Sequence, residues 1–219
     1  MYLPRHFSEE RIDVIAELIA AHPFATLVSL GGDGLVATHL PLLWDPQPAP
    51  FGTLSGHLAR PNSQASARHS ASDVLAIFHG PNAYVSPTWY PSKREHGKVV
   101  PTWNYVVVHA YGPLTLIDDT NWLRAFVTRL TDREESELAA PWRVTDAPEP
   151  FVAQMLKGIV GIEIPVRRLE GKWKLGQNRP VADYEGTIDG LTARGDAAAQ
   201  AVATTMAMTA ARRREPSQD

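Results

Sequence analysis

The chain has 219 residues, of which 44% are hydrophobic and 21% charged, the composition of an ordinary globular protein large enough to bury its own core. It contains no cysteine, which excludes disulfides, zinc sites built from thiolates and cysteine nucleophiles. Its formal net charge of −3 does not favour nucleic acids as partners, because proteins that bind them usually carry an excess of basic residues.

Charge and hydropathy also indicate a location. Arg5, Glu9 and Glu10 precede any apolar signal core, and no uncharged run approaches the length of a membrane span. The lack of cysteine fits a reducing compartment. We therefore expect a cytoplasmic protein without a membrane partner.

An N-terminal helix is predicted from Ser8 to His22. Ser8 is a favourable N-cap, Glu9 and Glu10 suit the positive end of the helix dipole, and Pro23 follows the last residue. The apolar residues recur at i, i+3, i+4 and i+7, which predicts one apolar face of an amphipathic helix. These residues are Ile12, Ile15, Ala16 and Ile19.

Six to eight short strands are predicted in the rest of the chain, most of them joined by hairpins. Residues 31–34 (Gly-Gly-Asp-Gly) form a hairpin turn, residues 80–82 (Gly-Pro-Asn) form another turn, and residues 63–70 form a short helix. The predicted strands cover residues 24–30, 35–44, 52–58, 74–79, 83–90, 105–117 with a break at 112–113, 159–168 and 172–175.

Helices are predicted after the main sheet and at the C-terminus. Two lie between residues 118 and 156, and an Ala-rich helix covers residues 194–214. Hairpin-linked strands with helices attached indicate a mainly antiparallel α+β fold, a barrel or a sandwich, and not an alternating βαβ fold. We expect one domain over residues 1–190 and a helical tail over residues 191–219.

Residues 99–112 are the stretch around which a site is predicted. From Tyr105 to Tyr111 nearly every side chain is β-branched or aromatic, as in a buried strand. At its entrance, Thr102, Trp103 and Asn104 place a hydroxyl, an indole N–H and a carboxamide where a core strand carries aliphatic groups. Such donors suit a planar ligand that forms hydrogen bonds, and they also suit the polar end of an ordinary strand.

Standard hydrolase and kinase signatures are absent, since the chain contains no P-loop, GxSxG, HExxH or paired-carboxylate motif. Arg60 and Asn62 precede Ser63 in a loop that leads into a predicted helix, which would suit a phosphate or an ordinary surface arginine. Ser86 has no base near it in the sequence. Four histidines near strand ends could converge on a metal, but no close-spaced pair supports this. They are His39, His57, His79 and His109.

Six short motifs follow one another in the chain: Met1-Tyr2-Leu3-Pro4-Arg5-His6-Phe7, Thr38-His39-Leu40-Pro41, Gly56-His57-Leu58-Ala59-Arg60-Pro61-Asn62, Gly80-Pro81-Asn82-Ala83-Tyr84-Val85-Ser86-Pro87-Thr88-Trp89-Tyr90, Val100-Pro101-Thr102-Trp103-Asn104-Tyr105 and Gln177-Asn178-Arg179. In this order they resemble the PaiB family, often described as FMN-binding negative transcriptional regulators. The resemblance covers residues 1–179. It implies a split β-barrel of the FMN-binding type that forms a homodimer with FMN at the subunit interface. One departure is Gly176, where the resemblance leads us to expect Ser.

The resemblance also implies roles for residues within these motifs. Candidates for the ribityl phosphate are Thr38, His57, Arg60 and Asn62. Candidates for the edge of the isoalloxazine ring are Thr102, Trp103 and Asn104, while Trp89 and Tyr90 would wall the pocket or belong to the dimer seam. The candidate cofactor-binding residues are Thr38, His39, His57, Arg60, Asn62, Ser86, Trp89, Thr102, Trp103, Asn104, Gln177 and Arg179.

Three functions are compatible with these residues. The first is a flavin-binding regulatory protein with FMN bound across a homodimer. The second is a flavin-dependent oxidoreductase acting on a small molecule, and the third is a haem- or metal-binding protein that uses a histidine. DNA as a partner is supported only by late basic residues and by the description of the family, and no catalytic residue or metal ligand is assigned.

Overall fold

The computed structural model describes residues 1–32, 34–66 and 73–214, without the side chains of residues 213 and 214. The chain divides into two compact units. The first comprises Met1–Glu10, His79–Val108 and Glu170–Asp219, and the second comprises Arg11–Phe78 and His109–Leu169. Within the described residues, no helix combines the length and the apolar character that a membrane span requires.

The first unit contains part of an antiparallel sheet and three helices. Its strands lie in the order β1 (Ser8–Glu9), β10 (Arg168–Lys174), β7 (Thr102–Pro113) and β6 (Asp73–Val85), and the far parts of β6, β7 and β10 belong to the second unit. The helices are α2 (Ser92–His96), α5 (Val181–Arg194) and α6 (Ala197–Arg214), of which α5 and α6 pack against each other.

The second unit contains two sheet regions and three helices. In one region, the first residues of β6 pair with β2 (Phe24–Gly31), which forms a hairpin with β3 (Gly34–Pro41). The other sheet has the order β4 (Leu43–Asp45), β5 (Thr53–Ala59), β9 (Ile159–Pro165) and β8 (Thr115–Ile117). The helices are α1 (Ile12–Ala21), α3 (Thr120–Glu135) and α4 (Glu149–Leu156).

Alternating burial explains why these segments form strands. In β2, Ala25, Leu27 and Ser29 are buried, while the residues between them are less buried or exposed, so one face of the strand packs into the core. Gly34, at the hairpin turn, has a φ of 109°, which glycine adopts at little cost. The predicted antiparallel α+β fold with attached helices is therefore confirmed.

Several predicted boundaries are wrong, and each has a physical reason. The first helix begins at Ile12, not at Ser8, because Ser8 pairs with Lys172 in β1. The turn predicted at residues 80–82 is instead part of β6, where the alternation of burial slips at Pro81 and Asn82. Tertiary pairing thus outweighs local capping and turn preferences at both sites.

Two further segments differ from the prediction. Helix α5 was not predicted, because Gly186 and Gly190 within it are weak helix formers. The predicted helix of residues 63–70 is only a 3₁₀ turn over Ser63–Ala65, which ends at Ser66, and residues 67–70 lie outside the described residues. The domain boundary predicted near residue 190 stays a prediction.

Candidate functional site

The central strand β7 presents its residues alternately to two faces. Asn104, Val106 and Val108 are buried, whereas Trp103 is 51% exposed and Tyr105 is half-buried. The Nε1–H of Trp103 donates to Asn82 Oδ1 at 3.2 Å, which holds the indole in place on the sheet. The ring of Tyr84 stands edge-on to the indole with 6.2 Å between the ring centroids, and Tyr84 is 40% exposed. The outward face of this unit therefore carries a fixed, accessible aromatic patch of the kind that stacks with planar rings.

Two lysines of β10 lie beside this patch. Lys174 Nζ donates to Thr102 Oγ1 at 2.6 Å and to the Trp103 carbonyl at 2.5 Å, and Lys172 Nζ donates to the Tyr2 carbonyl at 2.9 Å. The two ammonium groups stand 5.8 Å and 5.4 Å from the centroid of the same ring, Tyr105. Burial, together with repulsion from Lys172 and Arg179, lowers the pKa of Lys174.

The turn after β10 is built by Gly176 and Gln177. Gly176 has a φ of 82°, a left-handed conformation that glycine adopts far more readily than serine, which accounts for glycine at this position. Gln177 Oε1 accepts from Leu175 N at 2.9 Å, and its Nε2 donates to the Trp173 carbonyl at 2.5 Å. The amide of Gln177 thus stabilises the turn itself.

Arg179 follows this turn and contacts an aromatic ring. Its guanidinium lies 4.2 Å above the centroid of Tyr90, a favourable cation–π geometry. The Tyr90 hydroxyl is buried and has no hydrogen-bond partner among the described residues, and burial raises its pKa while Arg179 lowers it. Arg179 also lines a cleft of about 440 Å³ between α5 and α6. The other lining residues are Gln177, Val181, Tyr184, Glu185, Ile188, Ala207, Ala210 and Ala211.

Three other predicted site residues of this unit have structural contacts. Ser86 caps the 3₁₀ turn Pro87–Trp89, since its hydroxyl accepts from Thr88 N at 3.2 Å. The indole of Trp89 packs closely on Gly190 of α5. Asn104 is only 2% exposed, and its Nδ2 donates to Met206 Sδ of α6 at 3.5 Å, on the opposite face of β7 from Trp103.

In the second unit, Thr38 and Asn62 are joined by a hydrogen bond. Asn62 Nδ2 donates to Thr38 Oγ1 at 2.9 Å, and Asn62 Oδ1 accepts from Gln64 N at 2.9 Å. His39 is the neighbour of Thr38 on β3, where its ring stacks with Phe24 and its Nδ1 lies 3.1 Å from Thr26 Oγ1. Thr38, Asn62 and the following turn therefore form one small polar cluster.

Arg60 has its charge matched within this unit. Its guanidinium contacts Asp118 through Nη2–Oδ1 at 2.5 Å and Nη1–Oδ2 at 3.2 Å, and Nε donates to the Lys157 carbonyl at 2.8 Å. The hydrogen bonds that Arg60 donates to Asp118 raise the pKa of Arg60, and the same contact lowers the pKa of Asp118. Both groups are solvent-exposed, so the pair contributes little to stability.

His57 lies against α3 and favours its neutral form. Its ring stands edge-on to Phe126 with 5.7 Å between centroids, and its Nδ1 is buried without a partner among the described residues. Burial lowers the pKa of His57. In the described part of the chain, no group of three or more histidine, aspartate and glutamate residues could hold a metal ion.

The outward face of the first unit carries groups that could hold a flavin. Trp103 and Tyr84 offer an accessible aromatic surface, Thr102 a hydroxyl, and Lys174 a cation. Among the described residues, no carboxylate lies within 4.0 Å of the cationic groups of Lys172, Lys174 and Arg179. Sequence reasoning missed the two lysines and Tyr105. The signal available was the i, i+2 spacing of the lysines, which puts both on one face of a strand.

The roles predicted for the remaining residues stay predictions. These roles are contacts with FMN, either with its phosphate or with its ring. The residues of the second unit are Thr38, His39, His57, Arg60 and Asn62, and those of the first unit are Ser86, Trp89, Asn104, Gln177 and Arg179. Asn104 and Trp103 lie on opposite faces, so the structure does not bring these two together. Gln177 and Trp89 already serve the fold.

Comparisons with known proteins show the family of this chain. The chain matches the family described as "Putative FMN-binding domain" over residues 1–168. It is 33% identical to "Protease synthase and sporulation protein PAI 2" of Bacillus subtilis, over 87% of this chain and 89% of that protein. It is also 32% identical to an uncharacterised protein of Emericella nidulans, over 93% of this chain and 95% of the relative.

A solved structure shares the fold of this chain. The flavocytochrome Anf3 of Azotobacter vinelandii superposes with a TM-score of 0.56 at 12% identity, over 84% of this chain and 78% of that one, a likeness in fold alone. FMN is the cofactor that the family match and the aromatic, cationic face of the first unit support together. Over most of its length, then, the chain belongs to the PaiB family, and it is an FMN-binding protein of the split-barrel type.

Proposed function

We propose that this protein is a regulatory FMN-binding protein that works as a homodimer in the cytoplasm. The observation that carries the proposal is the outward face of the first unit, where Trp103 and Tyr84 are accessible beside the uncompensated ammonium of Lys174. When bound, FMN supplies a flat ring that can change its redox state. The name of the Bacillus relative links that protein to protease synthesis and sporulation, which are processes that a regulatory protein would serve.

The ring of the flavin is assigned to the aromatic patch. The indole of Trp103 is held by its hydrogen bond to Asn82, so stacking on it costs little additional ordering. The Trp103 carbonyl and Thr102 Oγ1 already accept from Lys174, which fixes the ammonium at the edge of the patch. These residues are suited to binding and orienting a planar ligand.

A homodimer is supported by exposed apolar side chains. Trp103 and Tyr84 are accessible on the sheet face, and Phe24, Leu30 and Leu35 are exposed on the β2–β3 hairpin. Leu30 lies directly opposite Leu35 in this hairpin, and β3 is an edge strand. Apolar surface of this kind marks a site of association when it is contiguous.

A direct role in binding DNA is not favoured. Arg167 pairs with Asp73 at 3.4 Å, Arg168 stacks on Tyr111 at 3.5 Å, and Lys172 is buried. Arg167, Arg168 and Lys172 are thus engaged in local contacts, and the chain has a net charge of −3. We expect weak binding of duplex DNA with a shallow salt dependence, and tight, sequence-specific binding at physiological salt would contradict this.

The test compares two exposed tryptophans in a titration with FMN. Trp103→Ala should weaken FMN by roughly tenfold or more, since stacking on an aromatic side chain contributes about 1–3 kcal/mol. Trp142→Ala is the matched control, because Trp142 is 47% exposed but lies in the second unit. Equal affinities for all three proteins, or no binding of FMN by the wild type, would refute the proposed site.

Two further measurements test the rest of the proposal. Sedimentation should give a dimer at micromolar concentration, and a monomer with and without FMN would refute the homodimer. Incubation of the FMN-loaded protein with NADH or NADPH should give no sustained turnover. Multiple-turnover reduction of a small acceptor would favour the oxidoreductase instead.

A further inference from the structure

Three cations of the first unit, Lys172, Lys174 and Arg179, have no carboxylate within 4.0 Å among the described residues. Arg60, Arg124 and Arg194 each pair with a carboxylate of an aspartate or glutamate. Lys172, which is buried, and Lys174 instead donate to backbone carbonyls and a hydroxyl. Removing a cation from water without a counter-charge costs free energy, so such residues point to an anion that is bound during function.

We propose that Lys174, with Lys172 beside it, binds the terminal phosphate of the flavin and thereby selects FMN over riboflavin. This inference rests on the proposed function, because it requires the flavin to bind on the outward face of the first unit. A phosphate monoester carries close to two negative charges at neutral pH and accepts several hydrogen bonds.

Strand geometry brings the lysines together. Lys172 and Lys174 are two residues apart on β10 and therefore share a face, with Trp173 buried on the other. Both ammonium groups stand over Tyr105, 5.4 Å and 5.8 Å from the ring centroid. Tyr105 is in turn two residues from Trp103, so the cations and the aromatic patch share one face of the sheet.

Thr102 adds a donor to this cluster. Its Oγ1 accepts from Lys174 Nζ at 2.6 Å, and its own hydroxyl hydrogen donates to no group among the described residues. The hydroxyl hydrogen is therefore available to a phosphate oxygen. Lys174 retains a third N–H beyond the two that it donates to Thr102 and Trp103.

Electrostatics favours an anion at this point. Without one, burial and repulsion from Lys172 and Arg179 lower the pKa of Lys174. A phosphate would reverse the repulsion, because each cation would then face an opposite charge. Arg60, by contrast, already has both Nη groups on Asp118, so a phosphate there would first have to displace a carboxylate.

The test measures the dissociation constants of FMN and riboflavin for wild type, Lys174→Met and Thr102→Val. Riboflavin has the same ring and lacks only the phosphate. Wild type should bind FMN more tightly, and Lys174→Met should weaken FMN about ten- to a hundredfold, the range for charge-assisted hydrogen bonds. Riboflavin should change by less than about threefold in the same protein. Thr102→Val should weaken FMN selectively but by less.

Lys98→Met is the matched control, because Lys98 is an exposed lysine of the same unit with no role in the cluster. It should bind both flavins like wild type. Equal losses of FMN and riboflavin in Lys174→Met, or no loss of either, would overturn the inference. A selective loss of FMN in Arg60→Met with none in Lys174→Met would move the phosphate to the second unit.

The outcomes separate this inference from the proposed function. If wild type binds FMN and riboflavin equally well, the flavin site stands and the phosphate assignment fails. If wild type binds neither flavin, the proposed function itself fails and the inference with it. Retained riboflavin binding by Lys174→Met also shows that the variant is folded.

Discussion

Replacing Gly190 with alanine should destabilise the protein, although alanine is the better helix former. Gly190 lies on the face of α5 that receives the indole of Trp89. A Cβ added there would stand 2.3 Å from both Cγ and Cδ2 of Trp89, where ordinary contacts are 3.4–4 Å. One turn earlier, a Cβ on Gly186 would stand 2.3 Å from the Trp89 carbonyl oxygen. The two glycines thus form the groove in which the segment around Trp89 packs.

The magnitude follows from two opposing terms. Alanine stabilises a helix interior by about 1 kcal/mol relative to glycine. Overpacking costs about 1–3 kcal/mol, and this substitution should lie near the upper end because the overlap exceeds 1 Å and involves a rigid ring. We therefore expect Gly190→Ala to lower the free energy of unfolding by about 1–2 kcal/mol.

Urea denaturation of wild type, Gly190→Ala, Trp89→Ala and the double variant isolates the contact. In the Trp89→Ala background there is no indole to overlap, so Gly190→Ala should stabilise the protein by up to about 1 kcal/mol. The sign of the Gly190 substitution should therefore depend on Trp89. A Gly190→Ala variant that is more stable than wild type in both backgrounds would refute the packing argument, and it would leave the indole of Trp89 available to a ligand.

Two other predictions concern predicted site residues. Asn104 is buried against Met206, so Asn104→Ala should lower the free energy of unfolding, measured in urea, by about 1–3 kcal/mol. The affinity for FMN should stay within about twofold of wild type. A variant with normal stability and lost FMN affinity would contradict this. Burial lowers the pKa of His57, so below pH 6.5 the unfolded chain binds a proton at this residue that the folded chain does not bind. The free energy of unfolding should therefore decrease as the pH is lowered, by up to about 1.4 kcal/mol per pH unit. His57→Gln should reduce that slope in pH-dependent denaturation, with His22→Gln, whose pKa burial also lowers, reducing it separately; an unchanged slope would show that His57 stays charged when folded.

The fold could be predicted where local pattern and tertiary packing agree. The apolar run of β2 and the glycines of the hairpin turn are visible in the sequence, and the strand and the hairpin are both present in the structure. Strand β1 could not be predicted, because Ser8 carries a favourable capping side chain and its pairing with Lys172 spans most of the chain. Helix α5 was missed for a related reason, since its glycines weaken local helix preference while providing the groove for Trp89.

Strand geometry divides the residues that the sequence predicts for the site. Thr102, Trp103 and Asn104 are consecutive, so a strand must place Trp103 and Asn104 on opposite faces, and only one of the two can join a ligand on the outward face. The same period of two, applied to β10, puts Lys172 and Lys174 on one face. What the sequence could not supply is that β10 is the neighbour of β7, which brings these lysines over Tyr105. That pairing joins residues about seventy positions apart in the chain. The local sequence pattern assigns the two lysines only to a hairpin, whereas the pairing places their charges beside the aromatic patch, where they favour an anionic ligand.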